Sequence, residues 1–206
     1  MTIEEFGARV ASVWQGLRPS TRSLVERALS AAAPPPAATP RGETAYDARS
    51  EWELSRLLAA LDERAAEQGA KGLSAEASSE LTRVADTCAA VLHRGARSAE
   101  VFAQLLGRAL RSRDYTRVDA LADVMVGRLA PSELCELARS PVPAVRALAQ
   151  EALLQLPTGA LVSLLGDPID AETARTALES QADEYESEEA RLIVHVLDQA
   201  DADEDL

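Results

Sequence analysis

The sequence contains two histidines and two cysteines, side chains that are often used for metal binding and nucleophilic catalysis. His93 follows Cys88 by five residues, which places the two side chains about 140° apart around a helix and prevents them from sharing a metal ion. His195 lies among apolar residues late in a predicted helix, where a cation is tolerated well. No serine lies in a nucleophile-elbow motif and no glycine-rich phosphate loop is present. We interpret both histidines as structural, and we predict no catalytic residue, no metal site and no cofactor.

Carboxylates are plentiful, and two groups of them are spaced closely enough to act together. Asp119 and Asp123 are four residues apart on one predicted helix, just after Asp114, and could share a cation if they faced a pocket. Pairs at this spacing usually mark a solvated face. The segment 183–189, DEYESEE, has neither EF-hand spacing nor a turn glycine. It is typical of a solvated helix junction, with an acidic contact surface as the alternative.

Arginines are concentrated between His93 and Arg117, where six arginines stand against Glu100 and Asp114, giving a local charge of +4. The ordinary interpretation is surface charge that pairs with the acidic C-terminal region. The functional alternative is a docking strip for an acidic segment of a partner. On that alternative the candidate binding residues are Arg94, Arg97, Arg108, Arg111 and Arg117.

The two tryptophans are the largest apolar side chains of the sequence. Trp14 falls on the apolar stripe of the first helix and is predicted to be core. Trp52 lies between Glu51 and Glu53 at the start of its helix, off the leucine stripe. Trp52 is therefore a candidate contact residue, or alternatively a cover for a proline-rich segment that precedes it.

The net charge of −13 is unevenly distributed along the chain. From Asp167 to Leu206 there are fourteen acidic residues and two basic ones, which gives −12, whereas the first 166 residues sum to −1. An acidic surface disfavours nucleic acid and anionic membranes as partners, because both require an excess of Lys and Arg. A basic protein partner is the better electrostatic match. The oligomeric state is not indicated.

The sequence predicts that helices position these residues. Most of its apolar residues are Ala and Leu, which are strong helix formers, and it has no alternating runs of β-branched residues that would predict strands. Thr2 and Glu5 form a capping box for a first helix that Pro19 stops, and Ser20 begins a second helix. Residues 1–32 are thus predicted to form an N-terminal helical hairpin. Residues 33–46, with three consecutive prolines, are predicted to be an extended linker. Residues 47–200 are predicted to be a helical repeat domain, and the acidic tail 201–206 to be disordered.

Within that domain, helices are predicted from Asp47 to Gln68 and from a Ser74 cap to Gly95, and Ser98 is predicted to cap the next one. The following chain is repetitive. A polar or Pro-containing turn after a Leu-rich helix recurs at Arg111, Arg139 and Gly166. An apolar–polar pair then opens the second helix of each unit, and the pairs are 27 and 29 residues apart: Val118-Asp119, Val145-Arg146 and Ala174-Arg175. Such units bury their apolar faces by stacking on one another.

The segment ARSPVPAVRALAQEALLQL resembles the second half of a HEAT repeat, and the resemblance extends over about residues 98–186. The matching positions are Pro143, Val145, Arg146, Ala149 and Ala152. The resemblance implies an all-α fold, an α-solenoid of HEAT-like helix pairs, and the N-terminal hairpin predicted above precedes it. It also implies a structural role for Arg146, and by extension Arg175, in hydrogen bonding near the turn between helices. The first unit departs from the pattern, with Asp119 in place of the arginine.

These observations favour a non-catalytic scaffold that binds a partner peptide or protein through the solenoid helix faces. The alternatives are an enzyme or enzyme subunit on a HEAT-like fold, of the lyase type, and an acidic inhibitor or immunity-type protein. The N-terminus does not have the pattern of a signal peptide, and Cys88 and Cys135 fall on apolar stripes typical of free thiols. We therefore expect a cytoplasmic protein, and the twenty arginines against one lysine are typical of a GC-rich bacterial genome.

Overall fold

The computed structural model describes residues 3–30, 46–67 and 72–204. Across these residues the chain forms eleven α-helices and one short 3-10 helix, with no strand, which confirms the predicted all-α class. In the same ranges no helix is long and apolar enough to cross a membrane. The predicted proline-rich linker falls almost wholly outside the described residues.

Contacts divide the chain into two compact units, Met1–Ala96 and Arg97–Leu206. The first unit contains a 3-10 helix, Ile3–Phe6, followed by α1 (Ala8–Gly16), α2 (Pro19–Ser30), α3 (Ala48–Ala66) and α4 (Ala75–Gly95). The second contains α5 (Ala99–Ser112), α6 (Tyr115–Arg128), α7 (Pro131–Ala138), α8 (Pro143–Leu154), α9 (Thr158–Leu164), α10 (Ala171–Glu184) and α11 (Glu188–Glu204). Helices α3 and α4 thus share a unit with the N-terminal helices, whereas the sequence groups them with the repeats.

The N-terminal helix is not continuous, which corrects the prediction of one helix from a Thr2–Glu5 capping box. Thr2 lies outside the described residues, and the 3-10 helix ends at Phe6 before α1 begins at Ala8. Gly7 between them has φ 135°, a left-handed conformation that glycine adopts without steric cost. The Phe6 carbonyl accepts a 2.7 Å hydrogen bond from Nε of Arg64 in α3. The helix therefore breaks where a residue of α3, distant in sequence, binds the backbone.

Helices α3 and α4 begin where local capping signals predict. The carboxylate of Asp47 accepts from the backbone N–H groups of Arg49 and Ser50 at 3.1 and 3.2 Å. The hydroxyl of Ser74 accepts from the N–H of Ala77 at 3.2 Å. Both are N-cap bonds that satisfy donors left over at a helix start. The predicted starts of these two helices are confirmed.

A buried polar cluster connects the start of α2 to the start of α3. Glu53 is 4% exposed and Thr21 is 0% exposed. The Thr21 hydroxyl donates to Oε2 of Glu53, and Nε of Arg18 donates to Oε1 at 3.1 Å. Arg18 also donates to Asp47 at 2.8 Å and to the Ser50 hydroxyl at 3.0 Å. The cluster consists of Arg18, Thr21, Asp47, Ser50 and Glu53, and it holds the two helices together.

The same hydrogen bonds set the pKa values of both carboxylates. Burial by itself would raise the pKa of Glu53, but the bonds from Thr21 and Arg18 outweigh it and the pKa is lowered. Hydrogen bonds from Ser50 and Arg18 lower the pKa of Asp47 to about 2. Both groups are therefore carboxylates in the folded chain at neutral pH.

In the second unit, helices contact one another in two rows. We call α5, α7 and α9 the first-helix layer, and α6, α8 and α10 the second-helix layer. Successive members of each layer are in contact, and so are the two helices of each pair, α5–α6, α7–α8 and α9–α10. Helix α11 contacts α10 and buries Ala190 completely. Helix α11 ends at Glu204, within the segment 201–206.

Both cysteines are free and fully buried, as the apolar stripes predict. Burial raises the pKa of the Cys88 thiol in α4 to about 12 and that of Cys135 in α7 to about 11. Since the thiolate is the reactive form, we expect iodoacetamide to label neither thiol of the native protein at about pH 8. Both should be labelled in concentrated guanidinium chloride, as intact-mass spectrometry would show. Stoichiometric labelling of the native protein would contradict the burial of these thiols.

Candidate functional site

The histidines and the paired carboxylates do not assemble a chemical site. His93 is half-buried near the end of α4, whereas His195 is exposed on α11 with Nε2 3.0 Å from the Gln199 amide nitrogen. Asp119 and Asp123 are both exposed on α6, as expected for a solvated face. In the part of the chain that the structure describes, no three His, Cys, Asp or Glu side chains are grouped so that they could hold a metal ion.

The structure brings together three of the five candidate arginines. Arg108 in α5 is half-buried, and its pKa is lowered by burial and by the nearby charges of Arg117 and Arg111. Arg117 in α6 forms an ion pair with Asp114 at 3.6 Å. Arg94 and Arg97 are exposed, on either side of the boundary between the two units. The ion pair of Arg117 is thus local, and Arg108 is only half accessible.

Trp52 is 50% exposed on α3, whereas Trp14 is 8% exposed. These exposures agree with the predicted surface and core positions. The guanidinium carbon of Arg56, one turn later, lies 4.7 Å from the centroid of the Trp52 ring. This cation–π contact covers part of the indole and leaves the rest of it accessible to solvent.

The two arginines to which the HEAT resemblance gives a structural role bind different kinds of group. Val145 and Ala149 are fully buried in α8, and Arg146 donates to the carbonyl of Ser140 at 2.9 Å in the turn before α8. Arg146 therefore makes the turn hydrogen bond that the resemblance implies. Arg175 instead reaches Glu179 at 3.1 Å and Asp198 of α11 at 2.5 Å. Both of these contacts are charge-assisted hydrogen bonds to carboxylates.

Another arginine binds the turn that precedes α10. Nη1 of Arg139, at the end of α7, donates to the Ile169 carbonyl at 3.1 Å and to Asp170 at 2.8 Å. Asp170 is 4% exposed, so the carboxylate of this ion pair is buried. Sequence reasoning missed it, because the two residues are 31 positions apart and share no local motif.

The second-helix layer presents an acidic surface. Its four arginines, one or two from each helix, are all half-buried. Six of its carboxylate side chains are exposed instead. These are Asp119 and Asp123 of α6, Glu151 of α8, and Glu172, Asp183 and Glu184 of α10. The outer face of this layer therefore carries exposed negative charge.

A cleft of about 440 Å³ opens at the C-terminal ends of α8 and α10. Its floor is Gln181, which is 5% exposed. The Gln181 amide donates to the carbonyls of Leu154 and Leu156 at 3.0 and 2.8 Å, and its oxygen accepts from Thr158 at 3.3 Å. Gln181 thereby ties α10 to the connection between α8 and α9.

Tyr185 stands at the edge of this cleft and is 53% exposed. Its hydroxyl donates to Glu151 at 3.2 Å. The charges of Glu151 and, to a smaller degree, Glu184 raise the pKa of Tyr185. The cleft thus lies in a region of negative potential. Sequence reasoning identified the acidic segment 183–189 but not the cleft, which four separate elements build.

No protein-family model matches this chain, and comparisons with curated proteins and with solved structures find no significant similarity.

Proposed function

We propose that this protein is a non-catalytic interaction module in which α5–α10 form a solenoid of HEAT-like pairs that binds a protein partner through the second-helix layer. The order of helix contacts supports this proposal, because α5, α7 and α9 follow one another in one row and α6, α8 and α10 in the other. Stacked pairs of this kind leave one layer as an extended surface for a partner.

The charge of the second-helix layer favours a basic partner. Its exposed carboxylates outnumber its arginines, and the arginines are half-buried. Complementary charge would speed encounter and discriminate against acidic proteins. The free, buried cysteines support a reducing compartment such as the cytoplasm.

The proposal is tested by reversing charge on one layer at a time. The variant Asp119→Arg/Asp123→Arg changes exposed side chains of the second-helix layer. The matched control Glu100→Arg/Glu136→Arg makes the same charge change at exposed positions of α5 and α7 in the first-helix layer. Each tagged protein is used to capture partners from the native host at low and raised salt, and captured proteins are identified by mass spectrometry.

We expect the wild-type protein and the control variant to capture the same basic protein, and the second-layer variant to lose it. Equal capture by all three proteins would reject the second-helix layer as the binding surface. Equal loss from both variants would show that net charge alone governs capture, which also contradicts the proposal.

A further inference from the structure

We infer that the cleft at the C-terminal ends of α8 and α10 binds an arginine side chain of the partner protein. This inference rests on the proposed function and assigns a specific contact within it. The cleft is lined by the C-terminal ends of α8 and α10 in the second-helix layer, together with the starts of α9 and α11. It therefore offers an open cleft beside the exposed side chains of this layer.

The polar atoms of the cleft floor are already engaged in hydrogen bonds. Both protons of the Gln181 amide go to backbone carbonyls, and its oxygen accepts from Thr158. Leu154, Leu156 and Pro157 line the cleft on the side of α8, whereas polar groups supply the larger part of its surface. A ligand entering the cleft thus meets both polar and apolar surface, and the amide of Gln181 is already engaged in hydrogen bonds.

Carboxylates lie at the rim. Glu189 lines the cleft directly, and Glu151 is held at its edge by the hydroxyl of Tyr185. Arg175 pairs with Glu179 and Asp198, and Arg191 donates to the carbonyl of Ala182 at the C-terminal end of α10.

This combination suits arginine better than other cationic groups. The aliphatic stem of an arginine can pack on Leu154 and Pro157 while its planar guanidinium stacks on the exposed ring of Tyr185. The fork of N–H donors matches a carboxylate in bidentate geometry, which an ammonium group cannot do. A volume of about 440 Å³ accommodates one such side chain together with neighbouring peptide backbone.

The test uses the full-length protein and a fluorescein-labelled Gly–Ser peptide that carries spaced arginines. Two matched peptides carry other residues at the same positions. The citrulline peptide lacks the positive charge of arginine, and the lysine peptide keeps the charge but presents an ammonium group instead of a guanidinium. Binding is measured by fluorescence polarisation at about 0.15 M salt, where weak surface attraction is screened. We expect the arginine peptide to bind at least about tenfold more tightly than the citrulline peptide, and more tightly than the lysine peptide.

Variants then locate the binding. Glu151→Gln/Glu189→Gln should weaken arginine-peptide binding about tenfold, and Tyr185→Leu about threefold. The control Glu100→Gln/Glu136→Gln removes the same charge from the first-helix layer and should change affinity less than about twofold. Circular dichroism and thermal melting check that each variant is folded.

Several outcomes would overturn the inference. Equal weakening by the cleft variant and the control would mean that the peptide responds only to net charge. Equal binding of the arginine and citrulline peptides, or of the arginine and lysine peptides, would remove the case for a guanidinium. Spermine that binds the cleft more tightly than the peptide would assign the site to a small polyamine.

Failure of this inference and failure of the proposed function give different results. If the cleft variant still captures the host partner while Asp119→Arg/Asp123→Arg does not, the second-helix layer holds the partner without the cleft. If both variants capture the partner normally, the proposed function fails as well.

Discussion

Replacing Phe102 by alanine is expected to lower the free energy of unfolding of the second unit by about 3 to 5 kcal/mol. Phe102 is 0% exposed in α5, and α5 contacts α6, α7 and α8. Removal of the ring therefore opens a cavity among the four helices of two stacked pairs, where close packing leaves little room to relax. Equilibrium unfolding in guanidinium chloride should show a lower midpoint for the variant with little change in slope.

The matched control is Tyr115→Ala, which removes an aromatic ring that is 63% exposed at the start of α6. We expect this control to change the free energy by no more than about 0.5 kcal/mol. The Cys135 thiol supplies an independent probe of the same unit, since its labelling requires unfolding around α7. Equal destabilisation by both substitutions, or none by Phe102→Ala, would contradict the described core.

The parts of the fold that were predicted correctly depend on interactions between close neighbours in sequence. Asp47 and Ser74 cap their helices through bonds to the residues two or three positions later. The apolar spacing of Val145 and Ala149 buries both side chains on one face of α8. These signals act over less than two turns, so composition and spacing are sufficient to identify them.

The parts that were missed depend on residues far apart in sequence. Arg64 of α3 binds the Phe6 carbonyl where the first helix breaks at Gly7. Ser98 was predicted to cap α5 with its side chain, but no such cap bond forms, and the N–H of Ala99 donates instead to the carboxylate of Glu133 in α7. The sequence around Ser98 does not show that a carboxylate distant in sequence accepts the hydrogen bond in its place.

The candidate site shows the same division. The acidic character of the C-terminal region follows directly from composition. The cleft does not, because Gln181, Leu154 and Thr158 meet only once α8, α9 and α10 are packed. A buried glutamine within an acidic helix is a sequence signal for a hydrogen-bonding role, but it does not indicate the partners.

Replacing Glu53 by alanine is expected to destabilise the first unit by about 2 to 3 kcal/mol at neutral pH. The substitution leaves the buried Thr21 hydroxyl and the guanidinium of Arg18 without their shared acceptor. We place the effect below that of a fully buried pair, because the Arg18 side chain is 32% exposed and water can partly replace the carboxylate. The control is Glu63→Ala, which removes a carboxylate from a largely exposed ion pair with Arg9 and should cost less than about 1 kcal/mol.

The same cluster determines how the stability of the first unit depends on pH. The pKa values of Glu53 and Asp47 are lower in the folded chain than their ordinary values of 4.5 and 3.8. The unfolded chain therefore binds more protons in this range, and the cluster's contribution is complete above about pH 4.5 and is lost as the pH falls towards about 2. Chemical unfolding followed across this range should show a steep acid limb for the wild-type protein and a shallower one for Glu53→Gln, which cannot titrate at this position. Because Asp47 still titrates in that variant, part of the slope should persist, and an unchanged slope would mean that Glu53 is not the carboxylate that couples protons to folding.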